Sequence, residues 1–112
     1  MQIPENVNES LLALTPKLRE IFGDRLCEVI LFGSYARGEQ TPESDVDVLV
    51  LVDLPAEALR DYRTALDELC GEILFRRGVL LSVVEKDVQT FRRYADILPF
   101  YKNIVREGVK IA

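Results

Sequence analysis

LFGSYARGEQTPESDVDVLVLV, residues 31–52, sets a Gly33-Ser34 turn ten residues ahead of an Asp45-x-Asp47 pair. Upstream, Leu26 to Phe32 reads as a buried strand that runs into this turn. Glycine has no Cβ, so the turn lets exposed backbone N–H groups approach an anion closely. Phosphate is the natural anion. Downstream, Val46 to Val52 reads as a second strand, and its period of two places Asp45 and Asp47 on one face of the sheet. Two carboxylates about 4 Å apart repel by roughly 4 kcal/mol at an effective dielectric near 20. A bound cation best explains such a pair, and oxygen ligands beside a phosphate favour Mg²⁺. The stretch therefore points to a nucleoside triphosphate site.

Taken singly, neither half is decisive, since Gly-Ser is an ordinary turn and acidic pairs are common at strand entrances. Together with a strand on either side they define a site. The aspartates precede an apolar strand, whereas in phosphatase-type Asp-x-Asp sites the pair follows one. Ser44 suits a side-chain to backbone hydrogen bond that fixes the loop. Arg37 reads equally as a phosphate contact and as a solvated loop residue.

Gly33, Ser34, Ala36, Arg37, Gly38, Ser44, Asp45 and Asp47 match GSxARG and SDxD signatures. They resemble those of the nucleotidyltransferase superfamily related to DNA polymerase beta, in particular its minimal members. The tail FYKNIVREGVKIA is similar to the end of those short chains, so the resemblance spans nearly the whole length. It implies a small polymerase beta-like fold in which Gly33 and Ser34, with Arg37 and Ser44, hold the triphosphate of ATP. Asp45 and Asp47 would be both the catalytic residues and the Mg²⁺ ligands. It further implies AMP transfer to an acceptor hydroxyl with loss of pyrophosphate, and an antitoxin role against a HEPN-type ribonuclease toxin.

One departure from that pattern bears on turnover. Polymerase-type members carry a third carboxylate on the neighbouring strand, and the matching position in GVLLSVVEKD is Ser82. A hydroxyl is a poorer Mg²⁺ ligand. Glu85 is the nearest acid, but three residues from Ser82 it points to the opposite face of a regular strand. Two readings follow: a protein adenylyltransferase, or a nucleotide-binding antitoxin that neutralises its partner by occlusion. Transfer to a small molecule such as an aminoglycoside is disfavoured by the lack of a second domain to enclose it.

Composition narrows the field. The 112 residues suit a single domain, with 48% hydrophobic and 29% charged side chains. No apolar run is long enough for a membrane span, and MQIPENVNES has no signal-peptide pattern, so a cytoplasmic location is expected. A net charge of −5 without a broad cationic surface argues against nucleic acid as the main substrate. The chain contains no histidine, which excludes His-based nucleophilic machinery and zinc sites. Cys27 and Cys70, with 42 residues between them, suit reduced core thiols.

Around the signature, Leu11, Leu12, Leu14, Leu18, Ile21 and Phe22 recur near helical spacing, with Pro16 marking either the start of a helix or a kink, and Gly23 its end. Residues 39–43 form a polar loop. A long helix is expected from about Ala56 to Arg76, closed by Gly78, with Leu59, Tyr62, Leu66, Leu69 and Ile73 on one face. A third strand follows at Val79 to Val84, then a helix capped by Asp87 and a last helix from Pro99 to the stop at Gly108. This order predicts a small α/β (α+β) domain with a mixed sheet and helices mainly on one face.

Overall fold

A computed structural model describes residues 3–112. A four-stranded mixed sheet has the order β3-β2-β1-β4, built from β1 (Leu26–Phe32), β2 (Val46–Val52), β3 (Leu81–Asp87) and β4 (Val109–Lys110). β1 pairs antiparallel with β2 and β4, whereas β2 and β3 run parallel. The first two strands have the bounds that their apolar runs predict.

The alternation of β2 divides the molecule. Val46, Val48, Val50 and Val52 point to one face, where they pack with Leu11, Leu14, Leu18, Leu66 and Ile73. Those partners come from the two long helices, α1 (Glu5–Phe22) and α4 (Arg63–Arg77). Leu49 and Leu51 point to the other face, where two shorter helices cover them: α5 (Val88–Tyr94) and α6 (Pro99–Glu107). The long helices thus share one face, and the opposite face is covered through Val88, Phe91, Tyr101 and Ile104. β2 is buried on both faces except at Asp47, which is half-buried.

α1 starts at Glu5, well before Pro16, which lies inside the helix. The carbonyl that Pro16 leaves without its helical donor belongs to Leu12, whose side chain is exposed, so water can satisfy it. The Thr15 hydroxyl donates to Leu11 O (3.2 Å) in the same turn. The helix expected from Ala56 is interrupted: a single turn, α3 (Ala56–Leu59), passes through a 3₁₀ turn (Arg60–Tyr62) into α4. At the junction Tyr62 has φ −95° and ψ −6°, and its ring packs on Phe22 with centroids 4.7 Å apart.

β3 begins two residues later than predicted and runs on to Asp87 because its span follows β2, from Val46↔Leu81 to Val52↔Asp87. Val79 and Leu80 form the lead-in, where Leu80 O accepts from Val46 N–H (2.9 Å). Asp87 caps α5, its Oδ1 accepting from Gln89 N–H (2.9 Å), and Pro99 opens α6, as predicted. Gly108 ends α6 where a Cβ would overlap Ile104 O and Ile30 Cγ2. That close approach lets the chain turn into β4, a two-residue strand too short to show a period.

Candidate active site

The signature occupies the ends of β1 and β2 on the α5/α6 face. β1 stops at Phe32, and Gly33 takes φ +76°, a conformation open to glycine at little cost. The chain then enters a single turn of helix, α2 (Ser34–Arg37). The N–H groups that open such a turn have no acceptor within it, so those after Gly33 are available to an anion. Tyr35 is buried in the α1/α4 core and anchors the turn from below. Ser44 fixes the following loop: its Oγ accepts from Thr41 N–H (2.8 Å), and its own N–H donates to Thr41 O (3.0 Å). That is the loop-fixing role expected from its position.

Across the ladder, Phe32 pairs with Asp47, which brings the Gly33 turn against the Asp47 side chain. A Cβ on Gly33 would overlap Asp47 Oδ2, so the turn and the carboxylate form one closely fitted unit. Burial raises the Asp47 pKa, the neighbouring Asp45 charge raises it further, and Arg37 pulls it back. Neither aspartate takes part in a salt bridge among the described residues. Two adjacent carboxylates without a salt-bridge partner, one of them partly desolvated and eased only by the more distant Arg37 charge, are a donor set that a hard divalent cation fits.

The parallel register places Ser82 directly opposite Asp47. Ser82 therefore stands where a third carboxylate would complete the set, and no cluster of three acidic, Cys or His ligands exists among the described residues. Glu85 lies on the other face, as the strand period requires. There its Oε2 accepts from Arg63 Nη1 (2.8 Å), and Arg63 also pairs with Asp67 through Nη2 (2.8 Å). Glu85 is a structural partner of α4, separated from Asp47 by the sheet.

Arg37 projects from α2 toward the end of α6. Its Nε donates to Glu39 Oε1 (2.7 Å), and its Nη1 lies 3.5 Å from Glu107 Oε2. These carboxylates raise the Arg37 pKa, Glu39 contributing most. Gly33, Arg37, Phe100, Asn103 and Glu107 line a groove of about 180 Å³ between the turn and α6. A larger cavity, about 300 Å³, opens on the other side of Asp45 beside Ser44 and Tyr35. The structure thus gathers Gly33, Ser34, Arg37, Asp45 and Asp47 at one end of the sheet, with Ser44 on its supporting loop. The contributions of Phe100, Asn103 and Glu107 went unassigned in the sequence. Their spacing of three and four residues on α6 is the available signal, but it cannot reveal that this stripe meets the Gly33 turn.

A mixed sheet with a Gly-Ser turn beside a strand-entrance Asp-x-Asp defines a nucleotidyl-transferring class of domain. The chain belongs to the nucleotidyltransferase domain family, whose model matches residues 15–111. Its fold is that of the polymerase beta-like nucleotidyltransferases. A relative from Methanocaldococcus jannaschii, provisionally named a protein adenylyltransferase, is 30% identical over 103 residues, covering 92% of this chain and 95% of its own. Among solved structures, a chain of a toxin–antitoxin crystal structure with AMP-PNP superposes with a TM-score of 0.58 at 22% identity, over 91% of this chain and 72% of that one. A chain from the complex of a tri-AMPylated Shewanella oneidensis HEPN toxin with an MNT antitoxin gives a TM-score of 0.51 at 17% identity, over 94% of this chain and 71% of that one.

Proposed function

We propose that this chain is a Mg²⁺-dependent protein adenylyltransferase that transfers AMP from ATP to a hydroxyl of a HEPN-type toxin and so acts as its antitoxin. The observation that carries this reading is the fitted unit of Gly33 against Asp47, with the Asp45 charge beside it and no salt-bridge partner for either aspartate among the described residues. The name of the Methanocaldococcus jannaschii relative supports adenylyl transfer, and the toxin complexes among the structural neighbours support the partner class. A cytoplasmic site of action belongs to the same proposal, and no described helix is long and apolar enough to cross a membrane.

In this reading Asp45 and Asp47 hold the cation, which when bound supplies positive charge beside the triphosphate. The N–H groups after Gly33 bind phosphate oxygens, and Arg37 adds a mobile positive charge as it exchanges Glu39 and Glu107 for phosphate. The acceptor oxygen attacks the α-phosphorus in line. A P–O bond to the acceptor forms as the α–β bond breaks, releasing pyrophosphate and the hydroxyl proton. Such a transfer rests on positioning and charge neutralisation more than on covalent catalysis, so a small domain suffices.

The test is intact-mass spectrometry of the protein encoded beside this chain's gene, incubated with the chain, ATP and Mg²⁺. The expected result is a gain of whole AMP units with wild type and none with Asp45→Ala/Asp47→Ala. A second reading, neutralisation by occlusion alone, is favoured by Ser82 at the third-carboxylate position. A stable complex without any mass change, formed equally by the double mutant, would establish that reading instead.

A further inference from the structure

We infer that the corner joining α5 to α6 is the docking face for the acceptor protein, and that it takes a protein surface apolar at its centre and acidic at its rim. The proposal rests on the adenylyltransferase reading for the identity of the occupant, but not for the existence of the face. Scattered exposed apolar residues are ordinary on any protein. Here they are concentrated: Ile97 is 66% exposed, Leu98 42%, Phe100 45% and Val105 59%, all within residues 97–105. The face is continuous with the site, because the Phe100 ring sits edge-on to Phe32 at 5.6 Å and lines the groove that holds Gly33 and Arg37. A protein seated on the corner borders the Gly33 turn, against which Asp47 is fitted.

Charge decides what kind of surface fits. Residues 92–106 carry Arg92, Arg93, Lys102 and Arg106 against the single carboxylate of Asp96, a cationic island on a chain whose net charge is −5. Arg92, Arg93 and Lys102 are exposed and have no ion-pair partner among the described residues. A second copy of this chain is a poor occupant. A two-fold interface puts the same patch on both sides, so cationic rim would face cationic rim. Nucleic acid is a poorer occupant, since the most exposed apolar residues of the corner, Ile97 and Val105, are aliphatic, and the Phe100 ring is packed edge-on against Phe32. An apolar centre with a charged rim is the composition of a protein–protein interface.

The experiment measures binding of the protein encoded beside this chain's gene by calorimetry, in parallel with its AMP gain by mass spectrometry. Ile97→Asp/Leu98→Asp should weaken binding by roughly tenfold or more, while Mg-ATP affinity and the far-ultraviolet spectrum stay as in wild type. Arg92→Glu/Arg93→Glu/Lys102→Glu should also weaken it, and the wild-type affinity should fall as salt rises. Asp45→Asn/Asp47→Asn should keep the affinity and lose the AMP gain. If wild type binds without AMP transfer and the corner variants release it, the docking face stands and the adenylyltransferase reading fails. The proposal is overturned if the corner variants bind within twofold of wild type, or if wild type does not bind that protein. It is equally overturned if sedimentation shows a wild-type dimer that Ile97→Asp/Leu98→Asp dissolves, or if those variants abolish binding of a labelled oligonucleotide.

Discussion

The two faces of the sheet put the same strand to opposite uses. On the α1/α4 face, Val46, Val48, Val50 and Val52 are almost wholly buried under two long helices, and even Glu85 is tied down by Arg63. On the α5/α6 face, Leu49 and Leu51 are covered, but toward the start of the strand Asp47 stands half-buried with a like charge beside it. One face gathers apolar burial and satisfied charge. The other keeps an electrostatic conflict that folding alone gives no reason to keep. That contrast sets the carboxylate end of the sheet apart and is the basis of the role proposed for it.

The largest effect expected from the contrast concerns the packed face. Leu14 is fully buried between α1 and the sheet, so Leu14→Ala should cost about 2–5 kcal/mol in a urea titration while Mg-ATP affinity of the folded fraction is unchanged. An equal loss of affinity would show that the faces are not separable. Next comes Gly33→Ala, which combines a positive φ with overlap on Asp47 Oδ2. It should destabilise by about 1–3 kcal/mol and, unlike Leu14→Ala, also displace Asp47 and lose nucleotide affinity. Retained affinity would mean that the turn and the carboxylate do not act as a unit.

A smaller effect of opposite sign is expected from Asp47→Asn. Because the folded-state pKa of Asp47 is raised, chiefly by burial, the unfolded chain gives up this proton first as pH rises. Ionised Asp47 therefore disfavours folding above the ordinary aspartate range near pH 4, and not below it. Without metal or nucleotide, the asparagine variant should melt a few degrees higher near pH 7, and the gap should close as pH falls below about 4. A lower melting temperature at pH 7 would remove the conflict from the account. The smallest expected change is a several-fold gain in Mg-ATP affinity for Ser82→Asp, measured by calorimetry, given the Asp47↔Ser82 register. Weaker binding would count against Ser82 as the third-ligand position.

Much of this division was legible in the chain. β1 and β2 have the predicted bounds because each is a mostly apolar run, broken by one carboxylate (Glu28 or Asp47), with a turn at its end. The Gly33-Ser34 and Asp45-x-Asp47 pairs are local patterns that can be read directly, whereas the fit of Gly33 against Asp47 follows from the β1–β2 pairing. Glu85 could be assigned to the opposite face from strand period alone. What stayed hidden depends on partners distant in the chain. The bounds of β3 are set by β2, the break at Tyr62 by packing on Phe22, and the two residues of β4 by pairing with Ile30 and Leu31. The meeting of Arg37 with Glu107 is likewise tertiary, since 69 residues of chain lie between them. Local spacing carried the chemistry of the site, and long-range contact supplied its walls.

The most direct test of the central claim is calorimetric titration of the purified chain with ATP, with and without Mg²⁺, for wild type and Asp45→Asn/Asp47→Asn. The account predicts saturable binding by wild type that requires Mg²⁺ and is lost in the double variant, whose fold persists. Binding of equal strength by both proteins, or Mg-ATP binding by neither, would contradict the assignment of the carboxylate end of the sheet as a nucleotide and metal site.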